Sequence, residues 1–136
     1  MNDFQNEWAI IHNNIESYQR LSLIIKLFSI LIFTLSLSLS IDILATSLIL
    51  LILWLQDAIW TTFQKRLETR IFFIEEKIKE NNNEDNTAFL LYSEWQNNRL
   101  GSLHLIKEYL LNAVKPTVAY PYSVLVFALY FLNFIN

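Results

Sequence analysis

Residues 21–63 form a long apolar segment, which reads LSLIIKLFSILIFTLSLSLSIDILATSLILLILWLQDAIWTTF. It is long enough for two crossings of a bilayer, because one transmembrane helix needs about 20 apolar residues. A single helix of this length would be about twice as long as the hydrocarbon layer is thick. We therefore predict two spans, 21–41 and 43–63, which form an antiparallel hairpin with its turn next to Asp42.

The composition of the whole chain also favours a membrane over solution. Of its 136 residues, 54% are hydrophobic and 17% are charged, whereas soluble domains average about 25% charged residues. A soluble domain this small would have to present large apolar patches to water. The absence of cysteine excludes disulfides and thiolate chemistry in this chain, and a net charge of −3 without a basic run argues against nucleic acid binding.

Residues 1–20 predict an amphipathic helix. Its apolar side chains recur at helical spacing and share one face: Phe4, Trp8, Ile11, Ile15 and Tyr18. This face can lie in the membrane interface or pack on another helix, and the acidic opposite face favours packing because anionic lipids would repel it. Acidic residues precede the first basic residue, so we expect no cleaved signal peptide here and a first span that remains as an anchor.

The middle of the chain, residues 64–115, is polar and balanced in charge, with eight basic and eight acidic side chains. An apolar stripe predicts that the second span continues into the cytoplasm as an amphipathic helix: Phe63, Leu67, Ile71, Ile74 and Ile78. A linker is expected at 81–86, followed by a second helix over 87–114 with a break near Gly101. The predicted buried face of this second helix is Trp95, Leu103, Ile106, Leu110 and Val114, and the two helices should form a hairpin.

A third apolar segment, 116–136, is again about long enough to span a bilayer. The expected fold class is an all-α membrane protein with an N-terminal amphipathic helix, a transmembrane helical hairpin, a cytoplasmic helical hairpin and a third transmembrane helix. The corresponding segments are 1–20, 21–63, 64–115 and 116–136.

The distribution of basic residues indicates an orientation. They precede the first span, follow the second and precede the third: Arg20, Lys65, Arg66, Arg70, Lys77, Lys79, Lys107 and Lys115. The turn near Asp42 and the end of the chain carry none. Because lysine and arginine near span ends remain in the cytoplasm, we predict a bacterial-type inner membrane, with the N-terminus and residues 64–115 cytoplasmic and the C-terminus outside.

Two charged residues lie inside the predicted hairpin, Lys26 in the first span and Asp57 in the second. Both are about equally far from the turn, so they should meet at one depth, and ionisable groups inside a membrane usually pair. Polar residues on the same two helix faces form a stripe: Ser22, Ser29, Ser36, Ser40, Ser47, Thr61 and Gln64. The stripe and the pair can be a structural contact between helices, the lining of a pore, or a proton relay through Asp57. The pair can also form between neighbouring copies, and since both charges lie near the inner interface, Lys26 can instead extend toward the headgroups.

No sequence motif points to catalysis, a cofactor or a metal. A phosphate-binding glycine loop, a nucleophile elbow and an HExxH pair are all absent. His12 and His104 stand alone without ligand spacing, so we expect packing or surface roles for both. The expectation is a protein without enzymatic activity, metal or cofactor.

The leading functional hypothesis is an interaction or scaffold protein that self-assembles into a homo-oligomer in the lipid bilayer, because three spans alone bury little surface. A surplus of aromatic side chains is expected to contact another copy or a partner: Phe72, Phe73, Phe89 and Tyr92. One alternative is an oligomeric ion channel or membrane-perturbing effector lined by the first two spans. Another is a regulator or immunity-type protein that binds another membrane protein.

Single cysteines introduced at Asn82 and Asn136 should react with an impermeant maleimide from opposite sides of the membrane. The native chain has no cysteine, so each labelling signal reports one position without background. A cysteine at Asn2 serves as the control and should behave like the one at Asn82. If Asn82 and Asn136 label from the same side, the third span is wrong.

Overall fold

The computed structural model describes residues 3–79, 90, 93, 96–97 and 101–135. Within these residues the chain is helical, without a strand, and its helices are α1 (Asp3–Leu39), α2 (Ile43–Lys79), α3 (Ser102–Ala113) and α4 (Pro116–Ile135). Helices α1, α2 and α4 are long and apolar enough to cross a membrane. The prediction of a helical chain with three apolar segments of spanning length is therefore confirmed.

Helices α1 and α2 each run for 37 residues without interruption. The predicted boundary between residues 20 and 21 is not a break, because α1 continues through it. Neither helix contains glycine or proline, the residues that most readily end a helix. Each helix is about 55 Å long, against about 30 Å of hydrocarbon in a bilayer, so each extends well beyond any membrane that it crosses.

The turn between α1 and α2 is short and is closed by hydrogen bonds at both helix ends. Ser40 has a left-handed backbone with φ of 52°, and the Ile41 N–H donates to the Ser36 carbonyl at 3.1 Å, which is the pattern of a Schellman C-cap. Asp42 caps α2, since its Oδ2 accepts the Ala45 N–H at 3.1 Å. The antiparallel hairpin thus turns at residues 40–42.

An apolar cluster joins the first half of α1 to the last half of α2. Its buried members are Phe4, Ile11 and Ile15 from α1 and Ile71 and Ile74 from α2; partly buried neighbours are Trp8, Leu67, Phe73 and Ile78. The N-terminal amphipathic face therefore packs on another helix, which is one of the two placements that the sequence allowed. The stripe that begins at Phe63 is covered by α1, whereas the sequence suggested the helix over 87–114 as its cover.

A buried ion pair lies within this apolar cluster and was not anticipated from the sequence. Arg70 Nε donates to Glu7 Oε1 at 2.9 Å, and Arg70 Nη2 donates to Glu7 Oε2 at 3.2 Å. Both side chains are almost fully buried. The Trp8 indole N–H donates to Glu75 Oε1 at 3.1 Å beside them. A bidentate pair of this kind has one geometry, so it fixes how far α1 is shifted along α2.

Helix α3 attaches to α2 by polar contacts. The Asn112 side chain donates to Thr62 Oγ1 at 2.7 Å, and the Trp54 indole N–H donates to the Ala113 carbonyl at 2.9 Å. Farther along α3, Glu108 pairs with Arg66 at 2.9 Å. Contacts on α2 therefore move to higher residue numbers as those on α3 fall, so the two helices are antiparallel.

The predicted buried face of the helix over 87–114 is wrong where the structure describes it. Leu103, Ile106, Leu110 and Val114 are between 53% and 84% exposed, whereas Asn112 and Ala113 are buried. Periodicity identified an apolar face correctly. The polar contacts with α2 hold the opposite face of α3 inward, so the apolar face is exposed. Trp95 lies outside the described residues, as does most of the helix before Gly101.

Helix α4 runs antiparallel to α2 and reaches the α1–α2 turn. Val118, in its first turn, packs with Ala58, and farther along Tyr130 accepts a hydrogen bond from Ser47 at 3.4 Å. We call the end of the bundle at residues 40–42 the turn end and the opposite end the charged end. Helices α1 and α2 run the whole length between these two ends, and α4 packs along the half that is nearer the turn end.

Ser40→Gly should raise the free energy of unfolding by about 0.5 kcal/mol, because relief of the left-handed strain exceeds the entropy that glycine gains in the unfolded chain. Ser38 is the matched control, since it lies in the regular helix two positions earlier. There, Ser38→Gly should lower stability by about 0.5 kcal/mol. Unfolding by sodium dodecyl sulfate in mixed micelles measures both changes, and equal losses at the two positions would contradict the left-handed turn.

Candidate functional site

The centre of the three apolar helices is the carboxylate of Asp57, whose side chain is fully buried. Ser22 Oγ donates a short hydrogen bond to Oδ1, and the Tyr122 hydroxyl donates to Oδ2 at 3.3 Å. Lys26 Nζ lies 3.5 Å from the same Oδ2. We call these four residues the Asp57 centre; α1, α2 and α4 all contribute to it.

Regular helix geometry explains how α1 supplies two of these groups. Ser22 and Lys26 are four residues apart, so both side chains leave α1 on one face, one turn from each other. The antiparallel hairpin brings that face to Asp57, as the equal distances from the turn predicted. Tyr122 was not anticipated, because nothing in the sequence sets the position of α4 along α2.

Lys26 has a second partner that depends on a proline in α4. Its Nζ donates to the Thr117 carbonyl at 3.1 Å. In a regular helix this carbonyl would accept the N–H of the residue four positions later, but that residue is Pro121, which has none. The lysine thus replaces a backbone donor that the sequence removes. A proline near the start of a span, together with a lysine at similar depth, was the signal for this contact.

Apart from Ser40, the remaining stripe residues contact other helices of the same chain or bond within their own helix. Ser36 Oγ and Thr46 Oγ1 are 2.7 Å apart between α1 and α2. The others donate as follows: Ser29 to the Lys26 carbonyl, Ser47 to Tyr130, Thr61 to the Asp57 carbonyl and Gln64 to Glu68. Ser40 forms the turn and contributes to no polar face. Ser29, Ser36 and Ser47 are buried, so these three serve contacts within one chain.

A cavity of about 290 Å³ adjoins the Asp57 centre on the side of the charged end. Its lining is Gln19, Ser22, Leu23, Lys26, Thr61, Gln64, Thr117 and Val118. The lining carries one cation and no carboxylate, because Asp57 lies behind Ser22 and Lys26. Of the polar residues predicted as a stripe, those nearest the charged end are the ones that line this cavity.

The aromatic residues expected to contact another copy or a partner differ in their surroundings. Phe72 is 69% exposed. Phe73 packs against the apolar cluster, and Arg70 lies over its ring at 4.9 Å, so this side chain already has cover within the chain. Phe89 and Tyr92 lie outside the described residues.

The histidines have no metal-binding geometry in the described part of the chain. His12 stacks on Trp8 with ring centroids 4.9 Å apart and lies 3.4 Å from Glu16, which is its neighbour one turn along α1. His104 is exposed on α3. Among the described residues, no group of three histidine, cysteine, aspartate or glutamate side chains is placed to hold a metal ion.

Comparison with protein-family models, with curated proteins and with solved structures found no match to this chain. Roles for the Asp57 centre and the cavity therefore rest on their contacts alone. Those contacts satisfy each charge with a neighbour inside the bundle. The arrangement is that of a polar junction which joins three apolar helices.

Loss of Lys26 should be coupled to the residue at position 121. Lys26→Met leaves Asp57 without its cation and the Thr117 carbonyl without a donor, and should lower the free energy of unfolding by about 1–2 kcal/mol. In a Pro121→Ala background the backbone N–H of the new alanine donates to the Thr117 carbonyl. The loss of stability caused by Lys26→Met should therefore shrink by about 0.5–1 kcal/mol.

The matched control replaces Lys65, an exposed lysine of α2, by methionine in the same two backgrounds. Its effect should be independent of Pro121→Ala to within about 0.3 kcal/mol. Unfolding in mixed micelles gives all six free energies. Additive effects of Lys26→Met and Pro121→Ala would show that the bond from Lys26 to Thr117 does not stabilise the fold.

Proposed function

We propose that this chain is a non-catalytic interaction protein of a bacterial-type inner membrane, which associates with copies of itself through its charged end. The N-terminus and the charged end are cytoplasmic, as the basic residues indicate, and the turn end and the C-terminus are outside. The proposal is carried by one observation, the exposed apolar face of α3. It requires neither a cofactor nor a metal.

The outer surface of the apolar helices supports a place in lipid. Large apolar side chains are exposed along all three, among them Leu27 and Phe28 on α1, Ile52 on α2 and Phe127 on α4. Ser22, Ser36 and Asp57 are turned inward to the Asp57 centre and the helix contacts around it, and exposed hydroxyls such as Thr34 bond to their own backbone. A bilayer covers such a surface without any partner protein, so the spans alone give no reason for self-association.

The face of α3 is different, because it lies beside the charged end. We call the side chains of Leu103, Ile106, Leu110 and Val114 the α3 stripe; all are more than half exposed. They recur at spacings of three and four residues and therefore form one continuous face. The end of this face at Leu103 lies beyond the predicted span, and an apolar face that is exposed to water marks an interaction site.

Height above the membrane favours protein over lipid as the occupant of the stripe. Glu108 is level with Arg66, and α3 continues away from the spans, so Leu103 lies about 12 Å beyond the predicted span end at Phe63. Phe72 on α2 lies about 13 Å beyond it. The headgroup layer on one side of a bilayer is only about 5–8 Å thick. Lipid can cover Val114 but not Leu103 or Phe72.

A second copy of this chain is the occupant that the charges favour. Residues 64–115 carry equal numbers of acidic and basic side chains, so two identical surfaces can meet without net repulsion. Closed symmetric assembly is the usual outcome when one chain binds itself. A pore lined by the first two spans has less support, because Ser29, Ser36 and Ser47 are buried within one chain.

Cross-linking in native membranes and native mass spectrometry in mild detergent test the proposal. Wild-type protein should give a discrete homo-oligomer. The double variant Leu103→Ser, Ile106→Ser should weaken self-association about tenfold or more, because truncated apolar anchors at an interface each cost about 1 kcal/mol or more. His104→Ser, an exposed change on the same helix, is the control and should leave association unchanged.

A wild-type chain that is monomeric at all concentrations would overturn self-association. If the monomer then co-purifies with one defined membrane protein through Leu103 and Ile106, the regulator or immunity-type alternative replaces it. An unchanged oligomer in the double variant would move the interface away from the α3 stripe. Ion flux through reconstituted wild-type protein would favour the channel alternative.

A further inference from the structure

We propose that the cavity between α1, α2 and α4 binds the phosphate group of a membrane phospholipid. The cavity, of about 290 Å³, is close to the smallest volumes of small-molecule sites, about 300 Å³. It holds far more than one water molecule, which occupies about 30 Å³. The inference uses the position of the helices in a bilayer and is independent of self-association.

The cavity presents hydrogen-bond donors to an anion, because the Lys26 ammonium group lines it while Asp57, which balances that charge, is buried behind it. Lys26 is the one charged residue that lines the cavity, and its side chain is 26% exposed. Its ammonium group has three N–H donors, of which the Thr117 carbonyl and Asp57 take two directions. The third is available to a ligand. An anion that enters the cavity therefore meets the ammonium before it meets the buried carboxylate.

Two neutral side chains and a helix end add further donors. Gln19 and Thr117 line the cavity and are exposed at its rim, and within the described residues neither side chain forms a hydrogen bond or ion pair. Thr117 is in the first turn of α4, where the helix dipole favours negative charge. A phosphate group at this point can accept hydrogen bonds from the Gln19 amide, the Thr117 hydroxyl and the Lys26 ammonium group together.

Depth identifies the source of the phosphate as lipid. The lining comes from residues 19–26 of α1, residues 61–64 of α2 and the first turn of α4. Gln19, Gln64 and Thr117 lie at the ends of the predicted spans, next to the headgroup layer, and Lys26 lies about 8 Å deeper, from where its long side chain can extend toward a phosphate. Leu23 and Val118 add apolar walls beside the polar ones, as the start of an acyl chain requires.

Native mass spectrometry of delipidated protein in detergent tests the inference with four probes. Dioleoyl phosphatidylglycerol and phosphatidylethanolamine should each bind at one saturable site. Dioleoylglycerol, which has the same chains without phosphate, should bind at least tenfold more weakly. Glycerol 3-phosphate, which has the phosphate without the chains, should also bind at least tenfold more weakly.

Variants tie binding to the cavity. Lys26→Gln should weaken phospholipid binding about tenfold, and Lys26→Arg should retain it, since the charge is kept. Because loss of Lys26 also disturbs the Asp57 centre, the pair Gln19→Leu and Thr117→Val provides a second test at the exposed rim, with an expected loss of several-fold. Lys65→Gln, an exposed lysine of α2 that does not line the cavity, is the control and should bind as wild type.

Three outcomes would overturn the inference. Equal binding of dioleoylglycerol would reduce the site to an apolar groove for acyl chains. Equal binding of glycerol 3-phosphate would make it a site for a free phosphate ester. Unchanged phospholipid binding in both Lys26→Gln and the rim variant would place the lipid elsewhere. The same spectra report the oligomeric state, so failure here is separate from failure of self-association.

Discussion

The burial of one carboxylate is the constraint on which the arrangement of the apolar helices depends. Asp57 is fully buried in the apolar first half of α2. An uncompensated charge in such a place costs several kcal/mol, so the helices around it must supply donors. Ser22 and Lys26 from α1 and Tyr122 from α4 do so. A shift of either helix by one turn would remove a donor from the carboxylate, and this fixes the alignment of all three.

The need to give every polar group inside the bundle a hydrogen-bond partner also explains how α1 accommodates its many serines. Two hydroxyls that face α2 bond across the helix contact, Ser36 with Thr46 and Ser22 with Asp57, whereas the buried Ser29 bonds to the Lys26 carbonyl of its own helix. Hydroxyls on the exposed side bond to their own helix: Thr34 donates to the Ile30 carbonyl at 2.7 Å and Ser38 to the Thr34 carbonyl at 3.1 Å. Such back-bonding leaves no donor unsatisfied in an apolar environment. Polar composition and an apolar outer surface are therefore compatible in one helix.

Sequence patterns were sufficient for features that depend on local composition. Hydropathy and length predicted the three apolar helices, and counting from the turn placed Lys26 beside Asp57. Contacts that depend on how separate helices slide past one another were missed: Tyr122 at Asp57, and Glu7 with Arg70. Both charges of the latter pair lie among apolar residues at helical spacing, which was a usable signal.

The exposed face of α3 shows a further limit, because periodicity says that a face is apolar but not what covers it. Similarly, the change in composition near residue 20 suggested a boundary between two helices. The helix continues through it, because the segment contains no glycine or proline to end it.

Two polar contacts hold α1 and α2 together at different heights. Glu7 pairs with Arg70 in the apolar cluster, and Ser22 and Lys26 bind Asp57 in the spans. Along α2 they are about 20 Å apart. A single contact would allow the two helices to rotate against each other. Two contacts at different heights restrict that rotation, so a force applied at the charged end moves α1 and α2 together rather than turning one against the other.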